Sequence, residues 1–316
     1  MQPIIEKIDS KLIIAELTPD RLLRVTNKGD NEIYIIDAHN APNTMREIGR
    51  LREIAFRGAG GGTGLSCDID EFDTMAVPCR QMIVWNPAEM EIIGGYRFIL
   101  GEDITYKNGV PCIATSHMFR FSERFLKEFL PRTIELGRSF VSPEYQTTKG
   151  SAKAIYALDN LWDGLGALTV IYPQIEYLFG KVTMYPTYNR ECRDMLLGFM
   201  HRHFPDPDKL VTPIEPIMTR ADSSEIQNRF TGWDFKEDFK VLNHFIREHG
   251  NKIPPLVNSY MALSPTMRMF GTAINHEFGD VEESGIFLKI SDIFEEKKTR
   301  HIDTYAESVS INKEKS

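Results

Sequence analysis

The sequence lacks the features of a membrane, secreted or metal-binding protein. No apolar run approaches the roughly 20 residues that span a bilayer, and residues 1–16 lack the basic, apolar and small-residue order of a signal peptide. We therefore expect a cytoplasmic protein. The four cysteines are scattered without a C-x-x-C pair, which predicts neither a zinc site nor a disulfide framework.

The sequence also lacks the basic excess of a nucleic-acid-binding protein, because 37 basic and 45 acidic residues give a net charge of −8. The local balance is different. Between Arg120 and Lys153, seven basic residues stand against four acidic ones, and one predicted helix carries Arg46, Arg50, Arg52 and Arg57. Either group could dock an acidic partner, although a solvated helix face is the simpler interpretation of each.

The hydrophobic pattern predicts an α/β domain in which strands and helices alternate. Of the 316 residues, 42% are hydrophobic and 26% are charged, as in an ordinary globular protein. The predicted strands are 32–38, 81–86, 92–100, 133–141 and 175–184, and the predicted helices are 41–56, 119–130, 153–168 and 189–204. This order indicates parallel neighbours in the second half of the sheet. Thr44 and Glu47 have the spacing of a capping box for the first of these helices.

Three segments fall outside this alternation. Residues 205–252 are rich in proline, aspartate and charge, which predicts an insertion before a closing helix and two strands. Residues 295–316 form a charged tail that we expect to fray. The glycine-rich stretch from Gly58 to Gly64 follows a helix and lacks the G-K-S/T ending of a phosphate-binding loop, so it is either a substrate-covering lid or a plain linker.

The predicted strand at 133–141 carries two residues suited to chemistry, Glu135 and Arg138. In a regular strand their side chains would point to opposite faces, because the side-chain period is two. A bulge at Gly137 would change this arrangement. It would also free backbone N–H groups to bind an amide-rich ligand or to polarise a thioester carbonyl.

Four short motifs resemble, in order, those of a known family: LREIAF (51–56), DIDEFD (68–73), GGYRF (94–98) and ELGRSFV (135–141). They are similar to motifs of the ornithine-lipid and glycine-lipid N-acyltransferases, which belong to the GNAT superfamily and are often labelled hemolysins. The same motif order is found in acyl-homoserine-lactone synthases. The resemblance implies a GNAT-like α/β fold, a twisted mixed sheet flanked by helices, with residues 1–316 forming one domain.

The resemblance also implies a reaction. A fatty acyl group, often 3-hydroxyacyl, would pass from acyl carrier protein to the α-amine of an amino acid of glycine or ornithine type, as the first step of aminolipid synthesis. An amphiphilic product would favour transient contact with the inner membrane. Because an amino acid's amine is mostly protonated at neutral pH, a base must remove a proton before the amine attacks a thioester. Glu135 is the candidate base, acting directly or through water.

The other candidate roles follow from the same resemblance. Arg97 and Arg138 would orient carboxylate, phosphate or carbonyl groups. The candidate substrate-binding residues are Arg52, Phe56, Asp70, Asp73, Gly137 and Ser139. The two aspartates would hold arginines or the acceptor amine. Each charged residue also has an alternative role in a structural ion pair between strands.

The expected donor is a phosphopantetheine thioester. GNAT enzymes that use coenzyme A carry a Q/R-x-x-G-x-G/A loop after this strand, which holds the pyrophosphate at a helix N-terminus. The nearest match here begins with Thr147, a departure that favours acyl carrier protein over coenzyme A. Lys149, Gly150 and Lys153 would meet the phosphate or the acidic carrier. We expect no bound cofactor and no metal.

Two other functions remain open. One is an acyl-homoserine-lactone-type synthase that uses S-adenosylmethionine as acceptor, and the other is a non-catalytic lipid-binding or membrane-active protein, as the hemolysin label suggests. The pairs His201–Asp206 and His203–Asp208 fit the H-x4-D spacing of glycerol-phosphate acyltransferases, but intervening prolines favour a chance match. No G-x-S-x-G motif is present, which excludes a hydrolase of that type.

Overall fold

A computed structural model describes residues 1–146 and 156–314, the last four of them by backbone alone. Its contacts divide the chain into two compact units, where we expected one domain. The first unit comprises Met1–Ala114, Arg132–Glu176 and Phe294–Ser316, and the second comprises Thr115–Pro131 and Tyr177–Ile293. The segment 205–252, which we interpreted as an insertion, therefore lies within the second unit.

The described residues form twelve strands and ten α-helices. The strands are β1 (Leu22–Val25), β2 (Glu32–Ile36), β3 (Arg80–Asn86), β4 (Glu91–Leu100), β5 (Tyr106–Lys107), β6 (Val110–Pro111), β7 (Phe119–Phe121), β8 (Thr133–Val141), β9 (Tyr177–Met184), β10 (Val211–Pro213), β11 (Arg268–Asn275) and β12 (Val281–Lys289). The helices are α1 (Ser10–Glu16), α2 (Pro42–Ala59), α3 (Glu71–Thr74), α4 (Ala157–Ile171), α5 (Arg190–His203), α6 (Ser224–Gln227), α7 (Phe235–Glu248), α8 (Pro255–Met261), α9 (Glu295–Lys298) and α10 (Thr304–Glu314). Consecutive strands run from β3 to β7, and consecutive helices run from α6 to α8. Two π-helical turns span Phe125–Phe129 and Thr299–Asp303.

The first unit is built on an antiparallel sheet with the strand order β1-β2-β3-β4-β8. Strands β3 and β4 are buried almost throughout, because helices cover both faces. Successive residues of β3 identify these faces. Gln81 accepts a hydrogen bond from Arg52 of α2, whereas Met82 lies against Gly164 of α4. The face towards α2 carries the buried Arg52–Gln81 contact, and a cluster of further charges lies on it.

The second unit contains an antiparallel sheet with the order β9-β12-β11. The strand pairs described within this unit are antiparallel, because β12 returns beside β9 in the opposite direction. The parallel pairing expected between the strands at 133–141 and 175–184 is not one of these pairs and stays a prediction. The helix predicted at 119–130 is confirmed only in its second part, because residues 123–130 are helical and include the π-helical turn Phe125–Phe129. Phe119–Phe121 forms β7, which pairs with β10 far along the chain, and a partner so distant in sequence leaves no local signal.

The aromatic stretch after β7 forms core. The Phe125 side chain is completely buried. Its ring centroid lies 5.6 Å from those of Phe179 and Phe287 and 6.0 Å from that of Phe270. These edge-to-face contacts are typical of a packed aromatic core.

The start of α2 differs from the predicted capping box of Thr44 and Glu47. The residue before the helix provides no side-chain cap. Instead Glu16, at the end of α1, accepts hydrogen bonds of 2.7–3.0 Å from the backbone and side chains of Asn43 and Thr44. Glu47 pairs with Arg50. The cap thus comes from another helix, which a local pattern cannot indicate.

The C-terminal segment that we expected to fray is helical. It forms α9, a π-helical turn and α10, and it packs against α4. His301 is buried, and its Nδ1 lies 2.8 Å from Oδ1 of Asp163 on α4. Gly166 permits this approach, because a Cβ atom there would clash with the carbonyl oxygen of His301. The contact depends on His301, Asp163 and Gly166. The charged composition of the segment therefore does not indicate it.

The glycine-rich stretch 58–64 is anchored by a buried carboxylate. The Glu53 side chain is fully buried, and it pairs with Arg57 at 2.6 Å. Its oxygens accept hydrogen bonds from the backbone N–H and hydroxyl of Thr63, at 3.2 and 2.8 Å, and from the N–H of Gly64 at 2.7 Å. These bonds favour the linker interpretation of this stretch over a mobile lid.

Candidate active site

Seven charged side chains gather on the α2 face of the first unit's sheet: Arg52, Arg97, Arg138, Asp68, Asp70, Asp73 and Glu135. The strand register explains part of the cluster. Arg97 of β4 lies opposite both Gln81 of β3 and Gly137 of β8, and such cross-strand partners share a face. Glu135 precedes Gly137 by two residues and therefore points to the same face.

The pairing of β4 with β8 contains a β-bulge. Two residues of β8, Arg138 and Ser139, oppose the single residue Tyr96 of β4. We expected a bulge at Gly137, and it lies directly after that residue. One additional residue changes the alternation of side chains along the rest of β8.

The bulge gives Arg138 an unusual backbone conformation. Its φ is +48°, in the left-handed region, which costs a residue other than glycine about 1–3 kcal/mol. In this conformation the guanidinium group lies 3.0 Å from Oδ2 of Asp68 and 3.3 Å from Oδ2 of Asp70. Arg138 thereby joins the charges on the side of the sheet where Glu135 lies.

Asp70 and Asp73 hold the arginines from the ends of the short helix α3. The two form a reciprocal capping box, in which each carboxylate accepts the backbone N–H of the other residue at 3.1–3.2 Å. Asp70 also lies 2.6 Å from Arg97, and Asp73 lies 3.2 Å from Arg52 and 3.3 Å from Arg97. A local helix cap therefore fixes the carboxylates that position the guanidinium groups.

Most of this cluster is closed to solvent. The side chains of Arg52, Asp68 and Asp73 are fully buried, and those of Arg97 and Glu135 are 1% exposed. Among the seven side chains, Asp70 is 25% exposed and Arg138 is 11% exposed. A small molecule arriving from solvent therefore meets one carboxylate and one guanidinium group.

Charge pairing keeps the accessible carboxylate ionised. Burial raises the pKa of Asp70, but Arg97 and Arg138 outweigh this effect and lower the pKa well below its usual value. Burial lowers the pKa of Arg97, but Asp73 and Asp70 raise it well above the usual value. Asp70 is thus a poor proton acceptor at neutral pH and a good ligand for a cationic group.

A cysteine also lies within reach of the cluster's charges. Burial raises the pKa of the Cys79 thiol to about 12, with Arg97 and Glu135 among the charges that act on it. The thiol is therefore neutral at physiological pH, and a neutral, buried thiol is a poor nucleophile. Cys79 is thus not a candidate catalytic residue.

Comparison with known proteins gives the family. Residues 51–155 match the acetyltransferase (GNAT) domain. The glycine N(alpha)-acyltransferase of Bacteroides thetaiotaomicron is 61% identical over 309 residues, which cover 98% of this chain and 92% of that protein. The glycine N(alpha)-acyltransferase of Phocaeicola vulgatus is 57% identical over 306 residues, with 96% and 94% covered. The chain belongs to the N-acyltransferase family of these two proteins. The prediction of a GNAT-type acyltransferase is confirmed.

Two solved structures show a distant likeness to this acyltransferase. The acyl-homoserine-lactone synthase LasI is 17% identical, with a TM-score of 0.29 over 48% of this chain and 71% of that chain. The coenzyme-A-dependent acyl-homoserine-lactone synthase BjaI, solved with S-adenosylmethionine and isopentyl-CoA, is 12% identical, with a TM-score of 0.30 over 49% and 67%. Likenesses at these scores support no inference about mechanism.

Most candidate residues of the acyltransferase lie together. Glu135, Arg138, Arg97, Arg52, Asp70, Asp73 and Gly137 share one side of the sheet. Phe56 is buried one helical turn after Arg52. Ser139 belongs to the bulge, and no hydrogen bond joins its hydroxyl to another residue in the described part of the chain. Lys149, Gly150 and Lys153 lie outside the described residues.

Two members of the site were not among the candidates. Asp68 pairs with Arg138, and Gln81 links Arg52 to Asp73 through hydrogen bonds of 2.5 and 2.9 Å. Asp68 begins the DIDEFD motif and could have been included on that ground. Gln81 is a polar residue directly before the four apolar residues of this strand, Met82–Trp85, which is the one signal that indicated it.

The basic groups expected to dock an acidic partner are largely occupied in ion pairs. Arg50 binds Glu47 and Arg57 binds Glu53, while Arg52 is buried in the charged cluster. These arginines therefore do not form a free docking surface.

The H-x4-D pairs of the sequence do not form either. His201 lies 2.8 Å from Asp222 and His203 lies 2.9 Å from Asp238. Their predicted partners, both in the loop after α5, pair with Arg268 instead. Chance spacing is thus the correct interpretation.

Neither a metal site nor a membrane-spanning helix is found among the described residues. No group of three or more histidine, cysteine, aspartate or glutamate side chains among the described residues is arranged to hold a metal ion. Within residues 1–146 and 156–314, none of the helices combines the length and the apolar character required to cross a bilayer.

Proposed function

We propose that this acyltransferase transfers a fatty acyl group from the thioester of acyl carrier protein to the α-amine of glycine. One observation carries the proposal. Asp70 and Arg138 are the exposed members of the charged cluster, and their opposite charges lie 3.3 Å apart. An amino-acid zwitterion has a carboxylate and an ammonium group at a similar separation. The names of the two relatives support glycine as the acceptor.

Recognition would use both charges of the acceptor. The carboxylate of glycine would bind the guanidinium group of Arg138, and its ammonium group would bind Asp70. Arg97 and Asp73, which are almost fully buried, would act as positioning residues that hold this pair. Glycine has no side chain, so it suits a site in which only two side chains reach solvent.

Acyl transfer requires the loss of a proton from the acceptor. Asp70 is a weak base because its pKa is held low. We therefore assign the role of proton acceptor to Glu135, which lies on the same face. Because Glu135 is 1% exposed, it acts through water. The free amine attacks the thioester carbonyl carbon, the C–N bond forms and the C–S bond breaks. Glu135 releases this first proton to solvent, and a second proton, which the nitrogen loses as the amide forms, passes through Glu135 to the leaving thiolate of phosphopantetheine. Backbone N–H groups at the bulge would polarise the carbonyl oxygen.

The proposal also assigns the acyl donor and the product of the reaction. Acyl carrier protein is favoured over coenzyme A because the segment beginning at Thr147 departs from the coenzyme-A loop. Lys149, Gly150 and Lys153 would then meet phosphopantetheine or the carrier. The product, an N-acylglycine, would be a precursor of an aminolipid.

Mass spectrometry of the reaction products tests this proposal. The protein is incubated with 3-hydroxyacyl carrier protein or 3-hydroxyacyl-coenzyme A and with glycine, ornithine, alanine or S-adenosylmethionine. We expect N-acylglycine with release of free carrier thiol. Formation of an acyl-homoserine lactone, or of no N-acyl product with any amino acid, would contradict the proposal. Faster transfer from coenzyme A would overturn the donor assignment alone.

A matched pair of variants tests the assignment of Glu135. Glu135→Gln should lower kcat by about 100-fold or more and leave the KM for glycine little changed. Glu277→Gln changes a carboxylate that is 78% exposed and should leave both unchanged. If Glu135→Gln instead lowers the melting temperature but retains kcat, Glu135 is structural and not the base.

A further inference from the structure

Trp233, in the second unit, is almost fully exposed. Its relative accessibility is 95%, whereas Trp85, in the first unit, is 3% accessible. It lies in residues 231–234, the turn that leads into α7. A tryptophan ring is large and apolar and carries one polar N–H, so it favours the interface between water and a bilayer over bulk water.

The turn that carries Trp233 is held by a buried carboxylate. Asp238, which is 1% exposed, accepts hydrogen bonds from the N–H of Thr231 at 2.8 Å and from the N–H of Gly232 at 2.7 Å. It also lies 2.9 Å from Nε2 of His203. Burial raises the pKa of Asp238, but these hydrogen bonds lower it below its usual value. The ring is therefore presented on an ordered backbone, which reduces the entropy lost when it binds.

Two cations flank the tryptophan. Arg202 donates a hydrogen bond of 3.2 Å to the carbonyl oxygen of Thr231, and Lys236 is exposed on the first turn of α7. In the described part of the chain neither has a carboxylate within ion-pair distance. The nearest acidic residue in sequence, Asp234, uses its carboxylate to cap α7 by accepting the N–H groups of Lys236 and Glu237. Asp234 keeps its negative charge and Glu237 is paired with Lys240, so the remaining exposed charges beside the ring are two cations, Arg202 and Lys236, and one carboxylate, Asp234.

We propose that Trp233, Arg202 and Lys236 form an anchor for the surface of an anionic phospholipid bilayer. An aromatic ring beside basic residues is the pattern of interfacial membrane binding. A second apolar side chain of the same unit, Met218, is 93% exposed. A bilayer is favoured over a protein partner because the product of the proposed function is an amphiphile that partitions into lipid. The choice of a bilayer over a protein partner rests on the proposed function. The exposure of Trp233 and the charges of Arg202 and Lys236 do not depend on it.

Tryptophan fluorescence tests the anchor in the full-length protein without substrates. We expect vesicles of phosphatidylglycerol to shift the emission to shorter wavelength, and brominated lipid to quench it. Trp233→Phe should lose both effects and bind these vesicles on the order of tenfold more weakly. Arg202→Gln combined with Lys236→Gln should weaken binding to phosphatidylglycerol and remove its dependence on salt, with little effect on phosphatidylcholine vesicles.

Three results would overturn the anchor. These are equal binding by Trp233→Phe, equal binding to neutral and anionic vesicles, and an emission shift caused by acyl carrier protein alone, which would assign the surface to a protein partner. Because Trp233 is exposed, its replacement should not alter the melting temperature, and a melt confirms this. Vesicle binding is measured without turnover, so its failure would leave a positive N-acylglycine assay unaffected.

Discussion

Replacement of Asp73 by asparagine tests whether the charged cluster also stabilises the first unit. The carboxylate is fully buried, and its oxygens lie 3.2 Å from Arg52, 3.3 Å from Arg97 and 2.9 Å from the amide nitrogen of Gln81. Asparagine has almost the same shape but no charge. It would leave two buried guanidinium groups partly uncompensated, a change that typically costs about 3–5 kcal/mol.

The lower end of that range applies here, because Arg97 keeps its contact of 2.6 Å with Asp70. A loss of about 3 kcal/mol corresponds to a fall in melting temperature of about 6–12 °C for a unit of this size. Circular dichroism on heating and urea denaturation both measure it. The matched control is Asp222→Asn, which changes a carboxylate that is 74% exposed and should cost less than about 1 kcal/mol. If Asp73→Asn melts within about 2 °C of the parent, the cluster is not the stabilising network argued above.

Three further predictions concern single contacts. Burial raises the pKa of Glu16, but its hydrogen bonds from Thr44 and Asn43 lower it below 4.5, so Glu16→Gln should cost about 1 kcal/mol above pH 5. That difference should vanish as the pH falls through the lowered pKa, which melting curves from pH 7 to 3 would follow; a constant difference would contradict the capping role. Gly94→Ala should lower the free energy of unfolding, because its Cβ would lie 2.5 Å from the carbonyl oxygen of Phe140. Gly58→Ala should raise the free energy of unfolding by about 0.5–1 kcal/mol, because there is open space around this position in α2. Urea denaturation midpoints that shift in the same direction for both variants would refute this. Arg138→Gly relieves the backbone strain, since glycine adopts a φ of +48° freely, but it removes the arginine paired with the buried Asp68, so it should melt below the parent. It should also raise the KM for glycine by about tenfold or more, and an unchanged KM would exclude Arg138 from acceptor binding.

Most residues of the candidate site were candidates in the sequence, with Asp68 and Gln81 as the exceptions, but their geometry could not be predicted. The ELGRSFV motif identified Glu135 and Arg138, and an expected bulge explained how both could share a face. That the bulge places an arginine in the left-handed region follows from its ion pairs with Asp68 and Asp70, which are distant in sequence. Motifs name residues, whereas contacts between strands and loops fix their orientation.

The elements that differ from the sequence-based predictions differ for one physical reason. The start of the helix predicted at 119–130 forms β7 because it pairs with β10, and the expected cap at Thr44 became a cap by Glu16 because α1 lies against α2. The tail after residue 295 packs because His301 meets Asp163. In each case a partner that is far away in sequence outweighs the local propensity.

Local sequence is sufficient for features that depend on neighbouring residues: the strands β2, β3, β4 and β8, the amphipathic helix α2, and the reciprocal cap of Asp70 and Asp73. Which charged side chains are buried and which are exposed could not be predicted from the sequence and is set by the folded chain. Folding closes Arg52 and Arg97 off from water and leaves Asp70 and Arg138 in reach of it, because packing between elements sets solvent access. The motifs therefore indicate the reaction class, and the packing selects which charges a substrate can meet.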